Sequence, residues 1–330
     1  MRTTGKRVVA GLVLGFSAGV MAQSTPPSGP PPLKIALSSL KPDAVIDAAG
    51  DRQVAVAPDA VWVSNRTAGT VTRIDPRTNA PGAPIVIGQG PCRSLILAFK
   101  SVWAPLCDGP ALARVNAEAG AEGGKTPPVL IKVGVSTAGP IVTATGSIWM
   151  VTDPAGTLAR LDPDTNAVVA EVAVPTGASA LAAGNDAVWV TSVTKDVVTR
   201  INGHTNVLVE TIKVGRGPVA IAFGEGSIWT LNGGDGTVSR IDPATNKVTE
   251  TIKTGVTSTA GAVVVGEGSV WLSAPGAPLT RIDPVTNSVR QQFSGTGGGA
   301  LAIGLKSLWL TATPTAIWRI DPRRVEATRK

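Results

Sequence analysis

The stretch Pro218–Gly255, PVAIAFGEGSIWTLNGGDGTVSRIDPATNKVTETIKTG, holds four short runs of strand-forming residues, each set off from the next by turn residues. Between the first and second runs stand Glu225 and Gly226, a two-residue link suited to a hairpin turn with positive φ. Between the third and fourth comes Asp242-Pro243-Ala244-Thr245-Asn246, in which proline pre-sets φ, aspartate can bond backbone amides and asparagine tolerates the left-handed region. The stretch reads as a four-stranded meander.

Working outward, the same landmarks recur seven times. Ser or Ala, a branched apolar residue and Trp come first, at Trp62, Trp103, Trp149, Trp189, Trp229, Trp271 and Trp309. Arg, a branched apolar residue and Asp or Asn follow, at Arg73, Arg114, Arg160, Arg200, Arg240, Arg281 and Arg319. Successive tryptophans lie 41, 46, 40, 40, 42 and 38 residues apart, and a period near forty with four strands per unit is the signature of propeller blades. The fold class expected is all-β, a seven-bladed β-propeller of four-stranded antiparallel blades. Composition agrees: 43% hydrophobic, 16% charged, 38 Gly and 26 Pro suit short strands and tight turns. Blade two carries extra residues around positions 120–128, read as a surface excursion.

Only eight residues follow Asp321-Pro322, too few for a fourth strand in the last blade. Lys41–Ala49 aligns with the fourth strand of a preceding blade, so the N-terminal strand is expected to pair into blade seven and close the ring. Ahead of it, residues 1–22 have a basic start, a short apolar run and small residues before Gln23, the pattern of a signal peptide. Residues 23–33 form a Pro-rich linker, which leaves 34–330 as the propeller. The expected location is periplasmic or secreted, with no membrane association after cleavage, which takes the formal charge from +7 to +4. The mature protein is expected to be a monomer.

The units resemble those of the YVTN-repeat propellers, which read like GSIWVTN…GTVSRIDPATNKVVATIPVG. The resemblance runs from about Val54 to Pro322, with Trp where the family has Tyr. It implies an exported, non-enzymatic propeller that binds a ligand or partner. Related repeats occur in the streptogramin B lyases, which look similar and use a catalytic His with Mg²⁺ held by a further His and Glu residues. That pattern does not transfer, because the single histidine, His204, sits in the turn Asn202-Gly203-His204-Thr205-Asn206.

The seven tryptophans are expected to pack between blades, and the arginines to pair within or between blades with the Asp or Asn two positions on. Counting outward from Phe99-Lys100 places Cys92 opposite Cys107, within disulfide reach. The remaining candidates lie where the repeats disagree, on the second-to-third and fourth-to-first connections. These are Asn65, Arg66, Arg93, Asp108, Asp153, Lys195, Asp196, Arg216, Asn232 and Asp235. They form the candidate binding set for a small molecule or protein. No catalytic residue and no required cofactor is read from them. The alternative is a metal-dependent lyase or lactone hydrolase in which Asp108, Asp153 and Asp235 hold Mg²⁺ or Ca²⁺ and converge near the central channel. A third reading is nucleic-acid or other polyanion binding through Arg66, Arg93, Lys195 and Arg216.

Overall fold

The computed structural model describes residues 33–48, 53–92, 94–109, 111–118, 127–134 and 139–328. The expected signal peptide, nearly all of the Pro-rich linker, Arg93 and most of the blade-two excursion lie outside the described residues. Seven sheets form seven antiparallel four-stranded blades, six of them running from first to fourth strand in chain order, and the first strands of neighbouring blades touch one another in a ring. Blade five is the meander Pro218–Gly224, Ser227–Asn232, Thr237–Asp242 and Lys247–Lys253. Among the described residues, no helix is long and apolar enough to cross a membrane.

The turn chemistry acts where the sequence places it. Both link residues have positive φ at Asn185-Asp186 (55° and 54°) and Glu225-Gly226 (48° and 67°), the requirement of a two-residue hairpin whose twist matches its strands. The asparagine ending each long turn is left-handed as well, with φ of 60°, 62° and 56° at Asn166, Asn206 and Asn246.

All seven repeat tryptophans are fully buried, and each packs into the blade that follows. Trp103 meets Ile148 and Met150 of blade three, Trp189 meets Ile221 and Ile228 of blade five, and Trp309 of blade seven meets Val61 and Val63 of blade one. The ring is therefore sealed by the same contact seven times. Removing roughly 200 Å² of indole from water contributes on the order of 5 kcal/mol of transfer free energy at each.

Closure comes from the N-terminal side. Ala44–Asp47 pairs antiparallel with Ala316–Ile320, from Ala44 opposite Arg319 to Asp47 opposite Ala316, and supplies the missing fourth strand of blade seven. A second strand was not expected. Leu33–Ala36, which begins on the last residue of the expected linker, lies parallel to Ser288–Ser294 and gives blade six a fifth strand. It is held because Ile35, Leu37 and Leu40 join the apolar cluster between blades six and seven. The C-terminal residues form a short helix, Pro322–Ala327, whose first amide groups are capped by Asp321 and whose Val325 is buried in that cluster.

Cys92 and Cys107 form a disulfide with 5.3 Å between their Cα atoms. The register that joins them differs from a straight count. Ile96 faces Trp103, but Pro91 faces Leu106, so the ladder slips by two residues and the cysteines bridge diagonally across the Pro91–Leu106 pair. Gly139 covers the bridge, at a position where any Cβ would collide with Cys92.

Candidate functional site

The ring has two unlike ends. At one end lie the first-to-second links and the long third-to-fourth turns, tied together by the repeated arginines. Arg240 donates through Nε to Ser227 Oγ at 2.9 Å, and through Nη1 to the Pro284 carbonyl at 2.8 Å and to Asn287 Oδ1 at 3.0 Å, both in the next blade. Its guanidinium lies 4.9 Å from the centre of the Trp229 ring. Arg114 and Arg319 repeat the pattern with Asn166 and Asn79. The expected pairing with the acid two positions on is corrected here, because that carboxylate is occupied by its own turn. Asp242 accepts from the Ala244 amide at 2.9 Å and the Thr245 hydroxyl at 2.9 Å, which hold its carboxyl below the usual carboxylate range. Blade seven lacks the long turn, so Arg281 takes Glu326 of the C-terminal helix instead, at 2.6 Å. His204 is at this end too, exposed, with Nε2 3.9 Å from Asp186.

The other end carries the sequence-derived candidates, and the structure spreads them over separate loops. Arg66 bonds Asp108 at 2.6 Å and reaches the Pro91 carbonyl at 3.3 Å, joining blades one and two. Asn65 accepts from the Ala68 amide, and Asp153 from the Ala155 amide, each inside its own turn. Asp196 accepts from the Gly217 amide at 2.8 Å, and Asp235 from the Arg216 amide at 2.7 Å. The Arg216 guanidinium turns onto the Gly234 carbonyl, and Lys195 is exposed. Asn232 is fully buried rather than on a loop surface, donating to Thr237 and Ser239 across its hairpin. Among the described residues, no three His, Cys, Asp or Glu side chains gather in a metal-holding group.

What the ring does form at this end is a central cavity of about 1010 Å³. Its wall comes from first strands and from fourth-to-first connections, through residues such as Ser179, Leu181, Val219, Thr259 and Thr296, with Val193, Pro275 and Pro314 from second-to-third connections. None of the nine described candidates lines it, and none of the described residues that do is charged.

Seven four-stranded blades thus close from the N-terminal side around a central cavity. No protein-family model matches the chain, and no curated protein matches it. Its likeness is to a solved propeller. A streptogramin B lyase structure superposes with a TM-score of 0.68 at 17% identity, covering 83% of this chain and 95% of that one. The Kuenenia stuttgartiensis hydrazine synthase follows at a TM-score of 0.47 and 16% identity, covering 54% of this chain and 56% of that chain. At these identities the likeness is one of fold.

The cavity wall is what sequence reasoning missed. One signal was present: the glycine run Gly297-Gly298-Gly299, at which all three residues have φ above 90°. A Cβ on Gly298 would strike the Ala274 carbonyl, and one on Gly297 the Ala312 carbonyl, so the run lets a connection press flat against neighbouring backbone at the cavity rim.

Proposed function

We propose that this chain is an exported, non-enzymatic propeller of the YVTN-repeat kind that binds a small molecule or a protein segment at its variable end, with the central cavity as the seat. The observation that carries this reading is the cavity itself: about 1010 Å³, walled by apolar side chains and Ser and Thr hydroxyls, with no charged side chain among its described lining residues. Such a wall supplies apolar contact and neutral hydrogen bonds. General acid–base chemistry needs ionisable groups at the reacting atoms, and the described wall offers none. The variable loops that carry Arg66, Asp108, Lys195 and Asp235 then form the rim that a larger partner would meet.

The disulfide supports export, since such bonds persist in oxidising compartments. The likeness to a streptogramin B lyase keeps an enzyme reading in view, and the test separates the two. Purified protein is screened by thermal shift against uncharged amphipathic small molecules and, in parallel, against Mg²⁺ and Ca²⁺. The binding reading expects stabilisation by a neutral compound, abolished by Thr259→Trp with Thr296→Trp, two exposed rim positions at which an indole narrows the cavity. Stabilisation by a divalent ion alone, lost in Asp108→Asn, Asp153→Asn or Asp235→Asn, would favour the metal-dependent enzyme.

A further inference from the structure

We propose a second binding site, for a phosphate group, at the opposite end of the ring, in the hollow between blades seven and one. The hollow, about 620 Å³, is lined by Arg73, Arg77, Lys306 and Arg319, with Pro58, Pro76 and Leu305 as apolar walls and Asp59 as its acid. Four cationic side chains on one hollow is an arrangement the repeat does not require.

The blade-to-blade comparison shows why it is specific to this junction. Each such junction is flanked by the second link residue of one blade and the variable turn residue of the next. At the junction of blades seven and one both are basic, Lys306 and Arg77. Elsewhere the pairs are Asp59 with Glu118, Lys100 with Asp164, Gly146 with His204, Asp186 with Ala244, Gly226 with Val285, and Gly268 with Arg323. A basic pair brackets only the hollow between blades seven and one.

Arg73 deviates from its six counterparts in the same place. Ala60 stands where five blades have Ser, so the hydroxyl that receives Nε in those blades is missing, as it is for Arg200 beside Ala187. Blade two has no Asp-Pro-x-Thr-Asn turn to offer a carbonyl and an asparagine, and six other arginines, but not Arg73, stack on their tryptophan. Its Nη2 instead donates to the Asp59 carbonyl at 2.9 Å, with the Asp59 carboxylate 3.7 Å away and 83% exposed. The other acid beside the hollow, Asp75, lies 3.5 Å from Arg77 and already accepts from the Arg77 amide at 2.8 Å. Arg319 is fixed by the Pro76 carbonyl and Asn79, which holds its guanidinium in place at the hollow's wall. Four cations against two acids leave positive charge facing the hollow, with arginine forks suited to a tetrahedral oxyanion.

The test is calorimetric titration with inorganic phosphate at constant ionic strength, chloride replacing phosphate in the control, on wild-type protein and on Arg77→Gln with Lys306→Asn. Both substituted side chains are exposed, and asparagine accepts the left-handed backbone at 306. Saturable phosphate binding in the wild type, weakened about tenfold or more in the double variant and unchanged in Arg216→Gln at the other end, is expected. Phenyl phosphate binding more tightly than inorganic phosphate would assign the site to a phosphate ester packed on Pro58, Pro76 and Leu305. Equal affinity would assign it to the free ion. Heat that tracks ionic strength alone, phosphate binding unaltered in the double variant, or binding of a DNA oligonucleotide without competition by phosphate would each overturn the proposal.

Discussion

Arg240 in blade five and Arg73 in blade one occupy the same position of the same repeat, yet one is a rivet and the other is not. Around Arg240 a serine, a proline carbonyl, an asparagine and an indole face all converge, three of them supplied by residues whose identity the repeat preserves. Around Arg73 the serine is Ala60, the next blade's turn is missing, and the Trp62 indole nitrogen is buried without a hydrogen-bond partner. A repeat position thus carries a structural role only while its neighbours keep their half of the contact. Where they lapse, the side chain becomes available for something else.

The largest effect should come from removing what both blades share. Trp229→Ala leaves an indole-sized hole between blades five and six and is expected to cost about 3–5 kcal/mol in urea-monitored unfolding. A loss of under 1 kcal/mol would mean that the tryptophans do not seal the ring. Next in size is the covalent bond peculiar to blade two. Cys92→Ser with Cys107→Ser opens a link across 15 residues and should lower stability by about 2–3 kcal/mol, with reductant lowering the wild type by a similar amount and leaving the variant unmoved.

The arginine comparison itself is sharpened by a conservative pair. Arg240→Lys keeps the charge but loses the fork between Ser227, Pro284 and Asn287, and is expected to cost about 1–3 kcal/mol. Arg73→Lys should cost about 0.5 kcal/mol or less. Equal losses would break the distinction between the two blades.

The smallest effect concerns pH. The carboxyls of Asp75, Asp162 and Asp242 are held below their ordinary value of 3.8, in each case chiefly by backbone amides of their own turns, those of Arg77, Thr165 and Ala244 respectively. A depressed folded-state value means that the contribution is present in full above about pH 4 and is lost as pH falls through the lowered value. Blade four has Asn202 at this position, accepting from the same two amides with no proton to gain. Asp242→Asn is therefore expected to be close to neutral at pH 7 and to make acid unfolding slightly less steep. An unchanged acid limb would show that these turns do not contribute to it.

Much of this was legible in the sequence, for a physical reason. Packing and turn geometry must recur in every blade, so Trp, Arg, the positive-φ links and the turn asparagines leave a pattern that can be counted. The closing strand Ala44–Asp47 was readable as a missing piece of that pattern. The strand Leu33–Ala36 was not, because it pairs outside the repeat and follows a proline tract. The candidate site fared differently. Loop charges such as Asp108, Asp196 and Asp235 stand out in a sequence of repeats, yet here they are spent on neighbouring arginines and amides. Cavity-lining residues such as Ser179, Val219 and Thr296 carry no such mark, since only the closure of the ring brings them to one wall.

The most direct test of the central claim, that the central cavity seats a neutral ligand, is a crystal structure of the protein with the strongest neutral compound from the thermal-shift screen. The account expects the ligand in the central cavity, against Leu181, Val219 and Thr296. A ligand seated instead on Asp108, Asp153 or Asp235 with a metal ion, or on the outer strands of the blades, would contradict it.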